Sequence, residues 1–189
     1  MQTSQTLQRL CVYCGSRPGN RPSYIEAAKQ LGRLMGQRHI ALTFGGSYTG
    51  LMGALADAVL EAGGEVLGVF PEKIIGERLH PGLTQTIITH SMPERKRLLM
   101  ENADALVALP GAWGTLDEIS EALAMNQLHL IKKPCAFLNT EGFYDRLFAF
   151  MDRAVQDGLL LEKNRSLALC AENPETLLNL IERELSKSR

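Results

Sequence analysis

A glycine-rich turn that ends in two acids carries the residue types best suited to chemistry in this chain. Residues 110–118 read Pro-Gly-Ala-Trp-Gly-Thr-Leu-Asp-Glu and directly follow the apolar run 105–109. A buried strand that enters a tight turn and then a helix aims free backbone N–H groups at one point, where an anion can bind. Glu118 lies one helical turn beyond that cradle. A phosphate grip beside a carboxylate predicts chemistry on a phosphorylated small molecule.

A basic segment precedes this turn and reads Met-Pro-Glu-Arg-Lys-Arg over residues 92–97. Pro93 suits the first turn of a helix. Cations at a helix N-terminus oppose the helix dipole. Arg95, Lys96 and Arg97 are therefore unfavourable there unless an anion or a carboxylate neutralises their charge. Adjacent helical residues cannot face the same way, which predicts one cation at the sheet rim and one in solvent. The alternative is a solvated basic helix start.

A second candidate anion site is the turn Cys14-Gly15-Ser16-Arg17. Gly15 permits a close backbone approach, Ser16 offers a hydroxyl, and Arg17 offers a fork for phosphate or carboxylate. The alternative interpretation is an ordinary turn after a strand, because Gly and Ser are common in turns.

The third glycine segment reads Gly-Gly-Ser-Tyr-Thr-Gly-Leu-Met-Gly over residues 45–53. Its first and third glycines have the spacing of a P-loop, but Leu51 and Met52 stand where that motif requires Lys and Ser or Thr. Two interpretations remain open. The loop, including Gly46, receives a single phosphate, or its glycines bring a strand and a helix close together.

The elements that must position these motifs follow from the alternation of short apolar runs and longer helical patterns. The patterns predict strands over 10–14, 40–44, 65–70, 85–89, 105–109 and 135–138, and helices over about 23–37, 50–62, 93–102, 115–130, 143–157 and 174–186. This order predicts an α/β fold, a single Rossmann-like domain over residues 1–189 with a parallel sheet and helices on both faces. Each motif follows a predicted strand, so all are expected at the carboxyl rim of the sheet, where such folds bind ligands. The longest irregular segment, 71–83, is a further candidate functional loop.

Composition excludes several classes of function. The chain has 189 residues with 20 Lys and Arg against 21 Asp and Glu, a formal net charge of -1. This balance provides no electrostatic footprint for nucleic acid or for an anionic membrane. No apolar stretch is long enough to span a bilayer, and the N-terminus lacks a signal-peptide pattern. The cytoplasm is therefore the expected compartment.

The cysteines and histidines do not predict a metal or redox site. Cys11 and Cys14 form a C-x-x-C within a predicted strand, where residues three apart face opposite sides of the sheet. We interpret them as structural rather than as a redox or zinc pair. The histidines have no ligand spacing, and no lysine stands in a recognisable pyridoxal-phosphate context. No metal and no cofactor are therefore expected.

Taken together, the motifs resemble the LONELY GUY family, phosphoribohydrolases that act on cytokinin riboside 5′-monophosphates. The family pattern is Pro-Gly-Gly-x-Gly-Thr-x-x-Glu preceded by Met-x-x-Arg-Lys, which corresponds here to residues 110–118 and 92–96. The turn at 14–16 and the loop at 45–53 are also similar, and the resemblance extends over about residues 10–157. Such proteins have often been labelled lysine decarboxylases, and the absence of a cofactor lysine motif here argues against that label.

The resemblance implies a Rossmann-like fold, a homodimer whose interface lies close to the active sites, and a catalytic pair formed by Arg95 and Glu118. The motifs and the resemblance together indicate a set of candidate substrate-binding residues. These are Ser16, Gly46, Glu77, Met92, Lys96, Gly111, Ala112, Trp113, Gly114, Thr115 and Ala124.

Two positions depart from the family pattern, and both concern substrate choice more than fold. Ala112 replaces the second glycine of the motif. If that position needs a positive φ, alanine costs about 1 kcal/mol and reshapes the cradle. Ser47 stands where the family loop often has a third glycine.

We expect hydrolysis of the N-glycosidic bond of a nucleoside 5′-monophosphate, either AMP or a cytokinin nucleotide. Glu118 would stabilise an oxocarbenium-like sugar and orient water, while Arg95 would stabilise the leaving base electrostatically. Two alternatives remain. One is a nucleotide or molybdenum-cofactor carrier, which needs the glycine cradle but not the catalytic pair. The other is a phosphoribosyl or deoxyribosyl transferase.

Overall fold

The computed structural model describes residues 6–72 and 78–187. Its strands are β1 (Arg9–Tyr13), β2 (Ala41–Phe44), β3 (Val66–Pro71), β4 (Gln85–Thr89), β5 (Ala105–Ala108), β6 (Cys135–Leu138) and β7 (Ala168–Ala171). Its helices are α1 (Pro22–Gln37), α2 (Gly50–Glu61), α3 (Met92–Glu101), α4 (Trp113–Gln127), α5 (Asp145–Gln156), α6 (Glu162–Arg165) and α7 (Pro174–Lys187), with a 3₁₀ turn at Thr140–Gly142.

These strands form one parallel sheet in the order β4-β3-β2-β1-β5-β6-β7. From β1 the chain winds outward as far as β4, then returns through α3 to β5 on the other side of β1. The order of strands therefore reverses between β1 and β5. At such a switch point the loops diverge and leave a crevice at the carboxyl ends of the strands. The predicted α/β fold with a parallel sheet is confirmed.

The two faces of the sheet are covered by different helices, and the alternation along β1 shows why. Leu10 and Val12 enter the core layer formed with α1, α2 and α7, whereas Cys11 and Tyr13 enter the layer under α3, α4 and α5. Cys14 belongs to the first layer, so the two thiols of the C-x-x-C lie on opposite faces, both buried and free. Burial raises the pKa of the Cys11 thiol far above its ordinary value, which fits a structural residue.

Three elements differ from the sequence prediction. The prediction omits β7 and α6, which are only four residues long each. The predicted end of α4 at residue 130 is wrong, because the helix ends at Gln127 and His129 has a left-handed φ of 58°. Leu128 and Leu130 continue the apolar pattern beyond that end but are exposed.

No helix among the described residues is long and apolar enough to cross a membrane.

Candidate active site

The loops after β1 and β5 meet at the switch point and define a cleft. The Gly15 N–H donates to the Pro110 carbonyl at 3.1 Å, and the Gly15 carbonyl accepts from the Leu51 N–H, also at 3.1 Å. These bonds hold the turn after β1 between the start of α2 and the turn that leads to α4. The cleft has a volume of about 490 Å³, within the range of small-molecule sites.

The first turn of α4 forms the floor of an anion cradle. The Leu116 N–H donates to the Ala112 carbonyl at 3.0 Å, so the amides of residues 113–115 precede the first helical hydrogen bond and are available to a ligand. Thr115 is buried beneath the turn, and a Cβ at Gly111 would overlap its hydroxyl. Ala112 has φ -116°, so the positive φ that would carry a backbone cost for alanine is absent at this position.

Arg95 turns inward from α3 and contacts β3, α4 and the loop after β2. Ser91 caps the helix by accepting the Glu94 N–H at 3.3 Å, which places Arg95 one turn further along. Its Nε donates to the Val69 carbonyl at 3.0 Å, and Nη1 donates to Glu118 Oε1 at 2.8 Å. Nη2 lies 3.5 Å from the Gly45 carbonyl. The guanidinium is therefore fixed in orientation beside the cleft that it lines.

Glu118 and Arg95 form a buried ion pair with side-chain exposures of 12% and 11%. Burial raises the pKa of Glu118 above its ordinary value, and the Arg95 charge opposes that rise. The carboxylate thus depends on Arg95 for part of its stability as an anion. A fixed carboxylate and a fixed guanidinium can stabilise a cation and a developing anion within one ligand.

Lys96 faces the opposite way from Arg95, as the spacing predicts. Its Nζ lies 3.2 Å from Asp117 Oδ1 and 2.9 Å from Glu121 Oε2, on the outer side of α4. Trp113 and Ala124 share that side of the helix, where Trp113 is 86% exposed. Lys96, Trp113 and Ala124 therefore do not line the cleft around Glu118.

The other candidate residues fall into three groups. The cleft brings together Ser16, Gly111, Ala112, Gly114 and Thr115 with the ion pair. Met92 begins α3 and is 49% exposed, outside the cleft lining. Glu77 lies outside the described residues.

The loop at 45–53 is arranged mainly for close packing. Gly46 has φ 82°, and its carbonyl accepts the His80 N–H at 2.8 Å rather than facing the cleft. A Cβ at Gly50 would overlap the backbone of Ser16 and Arg17. Ser47 is buried and its hydroxyl accepts the Thr49 N–H at 3.2 Å. The structure therefore favours the close-packing interpretation of this loop.

Two aromatic residues of the cleft were missed by the sequence reasoning. Tyr24 of α1 and Phe143 pack edge to face with ring centroids 5.6 Å apart, and both line the cleft. An ion pair of 2.6 Å between Arg21 and Glu141 links the start of α1 to the 3₁₀ turn beside them. Tyr24 could have been found as the first aromatic after a glycine turn. Phe143 had no such signal, since it comes from the loop after β6.

The fold and the cleft define an α/β protein with a cleft at a strand switch point, where the amides at the start of α4 can accept an anionic small molecule. A family model described as "Possible lysine decarboxylase" matches residues 52–181. A cytokinin riboside 5′-monophosphate phosphoribohydrolase of Arabidopsis thaliana is 37% identical over 98% of this chain and 88% of that protein. One from Rhodococcoides fascians is 38% identical over 92% of this chain and 89% of that protein. The chain belongs to the LONELY GUY family, as its motifs indicate.

Solved structures with the same fold include molybdenum cofactor proteins. The molybdenum cofactor binding protein from Rippkaea orientalis has a TM-score of 0.72 and 25% identity, covering 95% of this chain and 98% of that one. The molybdenum cofactor carrier protein of Chlamydomonas reinhardtii has a TM-score of 0.73 at 20% identity, with coverage of 94% and 98%. This second likeness concerns the fold alone.

Proposed function

We propose that this protein hydrolyses the N-glycosidic bond of a nucleoside 5′-monophosphate, either AMP or a cytokinin riboside 5′-monophosphate. The observation that carries the proposal is the buried Arg95–Glu118 pair, joined at 2.8 Å beside a helix N-terminus that can hold a phosphate. The curated relatives in plants and in Rhodococcoides fascians are named for this reaction.

In the proposed reaction, water attacks C1′ of the ribose as the bond from C1′ to the base nitrogen breaks. The electron pair of that bond leaves with the base, which takes up a proton, while the attacking water loses one. Glu118 stabilises the positive charge that develops on the sugar and orients the water. Arg95 stabilises the negative charge on the departing base, as a fixed cation rather than as a proton donor. The products are the free base and ribose 5-phosphate.

The 5′-phosphate binds the amides at the start of α4, together with Ser16 and Arg17. Arg17 lines the cleft and makes no hydrogen bond or ion pair with the described residues, so its guanidinium is available to a ligand. Arg95, by contrast, is already engaged by Glu118. Holding the phosphate uses remote binding energy to fix the sugar at the catalytic pair.

A homodimer accounts for the candidate residues that lie away from the cleft. Lys96, Trp113 and Ala124 share the outer side of α4, and Leu128 and Leu130 expose further apolar surface after that helix. Pairing of two subunits through this side covers the exposed Trp113 and brings these residues toward a neighbouring active site. A stable interface of this kind buries roughly 800 Å² per subunit. The cytoplasm stays the predicted compartment.

The test is base release from AMP and from isopentenyladenosine monophosphate, measured for the wild type and for Glu118→Gln. We expect free base and ribose 5-phosphate in equal amounts from the wild type. Base release no faster than that of the variant would contradict the proposal. Sedimentation of the wild type and of Trp113→Ser tests the dimer, which the variant should weaken.

A molybdenum-cofactor carrier is the alternative that the solved structures favour, because the protein from Rippkaea orientalis shares the fold along nearly its whole length. A carrier needs the cradle but has no use for the buried ion pair. Tight binding of a phosphorylated ligand without release of base would support it. For a decarboxylase acting through a Schiff base, a lysine would be needed at the cleft, and none lines it among the described residues.

A further inference from the structure

The guanidinium of Arg95 lies directly over Gly45, the first residue after β2. Gly45 follows Phe44, and its carbonyl lies 3.5 Å from Arg95 Nη2. Together with the hydrogen bonds to Val69 and Glu118, this contact holds the guanidinium at three points. The planar group therefore has little freedom to turn once it is seated.

The space above Gly45 exists only because this residue has no side chain. A Cβ built at Gly45 would lie 2.5 Å from Arg95 Nη2 and 3.3 Å from Met52 Sδ. Ordinary contacts begin at 3.4 Å, so the guanidinium would have to move by about 1 Å. Gly45 is not among the residues with a positive φ, unlike Gly46, so alanine fits its backbone without strain. The conflict is confined to side chains.

We propose that Gly45 is a positioning residue for catalysis: its missing side chain and its carbonyl set the place of the Arg95 guanidinium in the ion pair with Glu118. The inference rests on the proposed function for its effect on rate. It gives a reason for a glycine at this position, where no positive φ requires one. A displacement of about 1 Å in a catalytic group can cost roughly 100-fold in rate.

The experiment is a double-mutant cycle of Gly45→Ala and Arg95→Lys, with release of base from AMP as the readout. We expect Gly45→Ala to lower kcat roughly 100-fold and to leave KM within about threefold, because the phosphate cradle is untouched. Lysine has no Nη2 atom, so adding Gly45→Ala to Arg95→Lys should change kcat by less than about threefold. The lysine background is thus the matched control.

Three outcomes would overturn the proposal. Gly45→Ala could be as active as the wild type, its effect could multiply fully with that of Arg95→Lys, or it could raise KM alone. If Gly45→Ala does not fold, the double variant decides. Folding of Gly45→Ala/Arg95→Lys supports a clash with the guanidinium, and failure of both variants to fold indicates general packing and contradicts the proposal.

Failure of the proposed function is distinguishable from failure of this inference. If the wild type releases no base from AMP, the proposed function fails. The same cycle is then measured on the free energy of unfolding, where the clash should again appear in the arginine background and vanish in the lysine background. Equal destabilisation in both backgrounds would contradict the role of Gly45 whatever the reaction.

Discussion

Helices α3 and α4 are joined by two sets of ion pairs made by sequence neighbours, and the two sets differ mainly in their access to water. Arg95 pairs with Glu118 at 2.8 Å, with side-chain exposures of 11% and 12%. Lys96 pairs with Asp117 and Glu121 at 3.2 and 2.9 Å, and its side chain is 19% exposed against 58% and 38% for those acids. Adjacent residues on each helix point in different directions. Arg95 and Glu118 face the cleft, whereas Lys96 and Asp117 face the outer surface.

The difference shows how burial, rather than residue type, selects the pair that can do chemistry. Charges in contact with water are screened, and pairs between them contribute about 0 to 1 kcal/mol to stability. In the buried pair each charge depends on the other, because an unpaired ion in the interior costs several kcal/mol. Such a preorganised pair can act on a substrate without first reorganising solvent.

The largest expected difference between the two sets of ion pairs is the loss of activity on substitution of Glu118. Glu118→Gln keeps the shape of the side chain and removes its charge, so the positive sugar loses its stabilising anion. We expect kcat for base release from AMP to fall by about 1000-fold, comparable to the loss of a preorganised electrostatic group. Glu121→Gln is the matched control, since it makes the same change on the same helix at the outer pair. Similar losses in both variants would contradict the assignment of Glu118.

The pH dependence of the rate should report the buried pair alone. Burial raises the pKa of Glu118, and the reaction needs the ionised carboxylate. The rate should therefore be full above that raised pKa and decline as pH falls through it, with a midpoint above that of an ordinary glutamate. The measurement is kcat at saturating AMP against pH, because kcat/KM would also report the ionisation of the free AMP phosphate. In Arg95→Lys, a weaker ion pair should move the midpoint to still higher pH, and a midpoint at the ordinary value would contradict the assignment.

The fold follows from the sequence because five of its strands, β1, β2, β3, β5 and β6, are buried on both faces and read as short apolar runs. All six predicted strands lie within one residue of their observed bounds. The seventh, β7, is an edge strand, and its run Ala-Leu-Cys-Ala has no β-branched or aromatic residue to mark it as a strand. The end of α4 was misplaced because Leu128 and Leu130 extend the periodic pattern past the left-handed His129.

The site was less predictable, because it depends on contacts between distant segments. The pairing of Arg95 with Glu118 came from the family resemblance, and helix periodicity alone indicated only that Arg95 and Lys96 diverge. Gly46 is predicted at the phosphate, whereas the structure leaves it out of the cleft lining and bonds its carbonyl to the His80 N–H. A glycine in the sequence can indicate that there is no room for a Cβ, but it does not indicate which neighbouring atom occupies that space. Gly45 shows this most clearly, since its neighbour Arg95 is 50 residues away.

Arg17 differs from both Arg95 and Lys96, because it is a cation of the cleft that has no acidic partner among the described residues. If it holds the 5′-phosphate, Arg17→Ala should raise KM for AMP about tenfold and leave kcat nearly unchanged, because a uniform binding interaction is lost. Ribose 5-phosphate should inhibit the variant correspondingly less. Arg33→Ala, which disrupts an exposed ion pair on α1, is the control. A fall in kcat with unchanged KM would contradict a role in phosphate binding.

The smallest expected effect is at the outer pair itself. Glu121→Gln leaves Lys96 with Asp117, and we expect it to lower the free energy of unfolding by less than about 1 kcal/mol. Because salt screens exposed charges, this difference should disappear in 1 M NaCl, where the Debye length is about 3 Å, when urea unfolding is measured in the Trp113→Ser background that weakens the proposed dimer. The activity loss of Glu118→Gln should persist in the same salt, since water and ions do not reach that pair freely. A salt-independent cost at Glu121 would mean that the outer pair is covered, as it would be by a second subunit seated on α4.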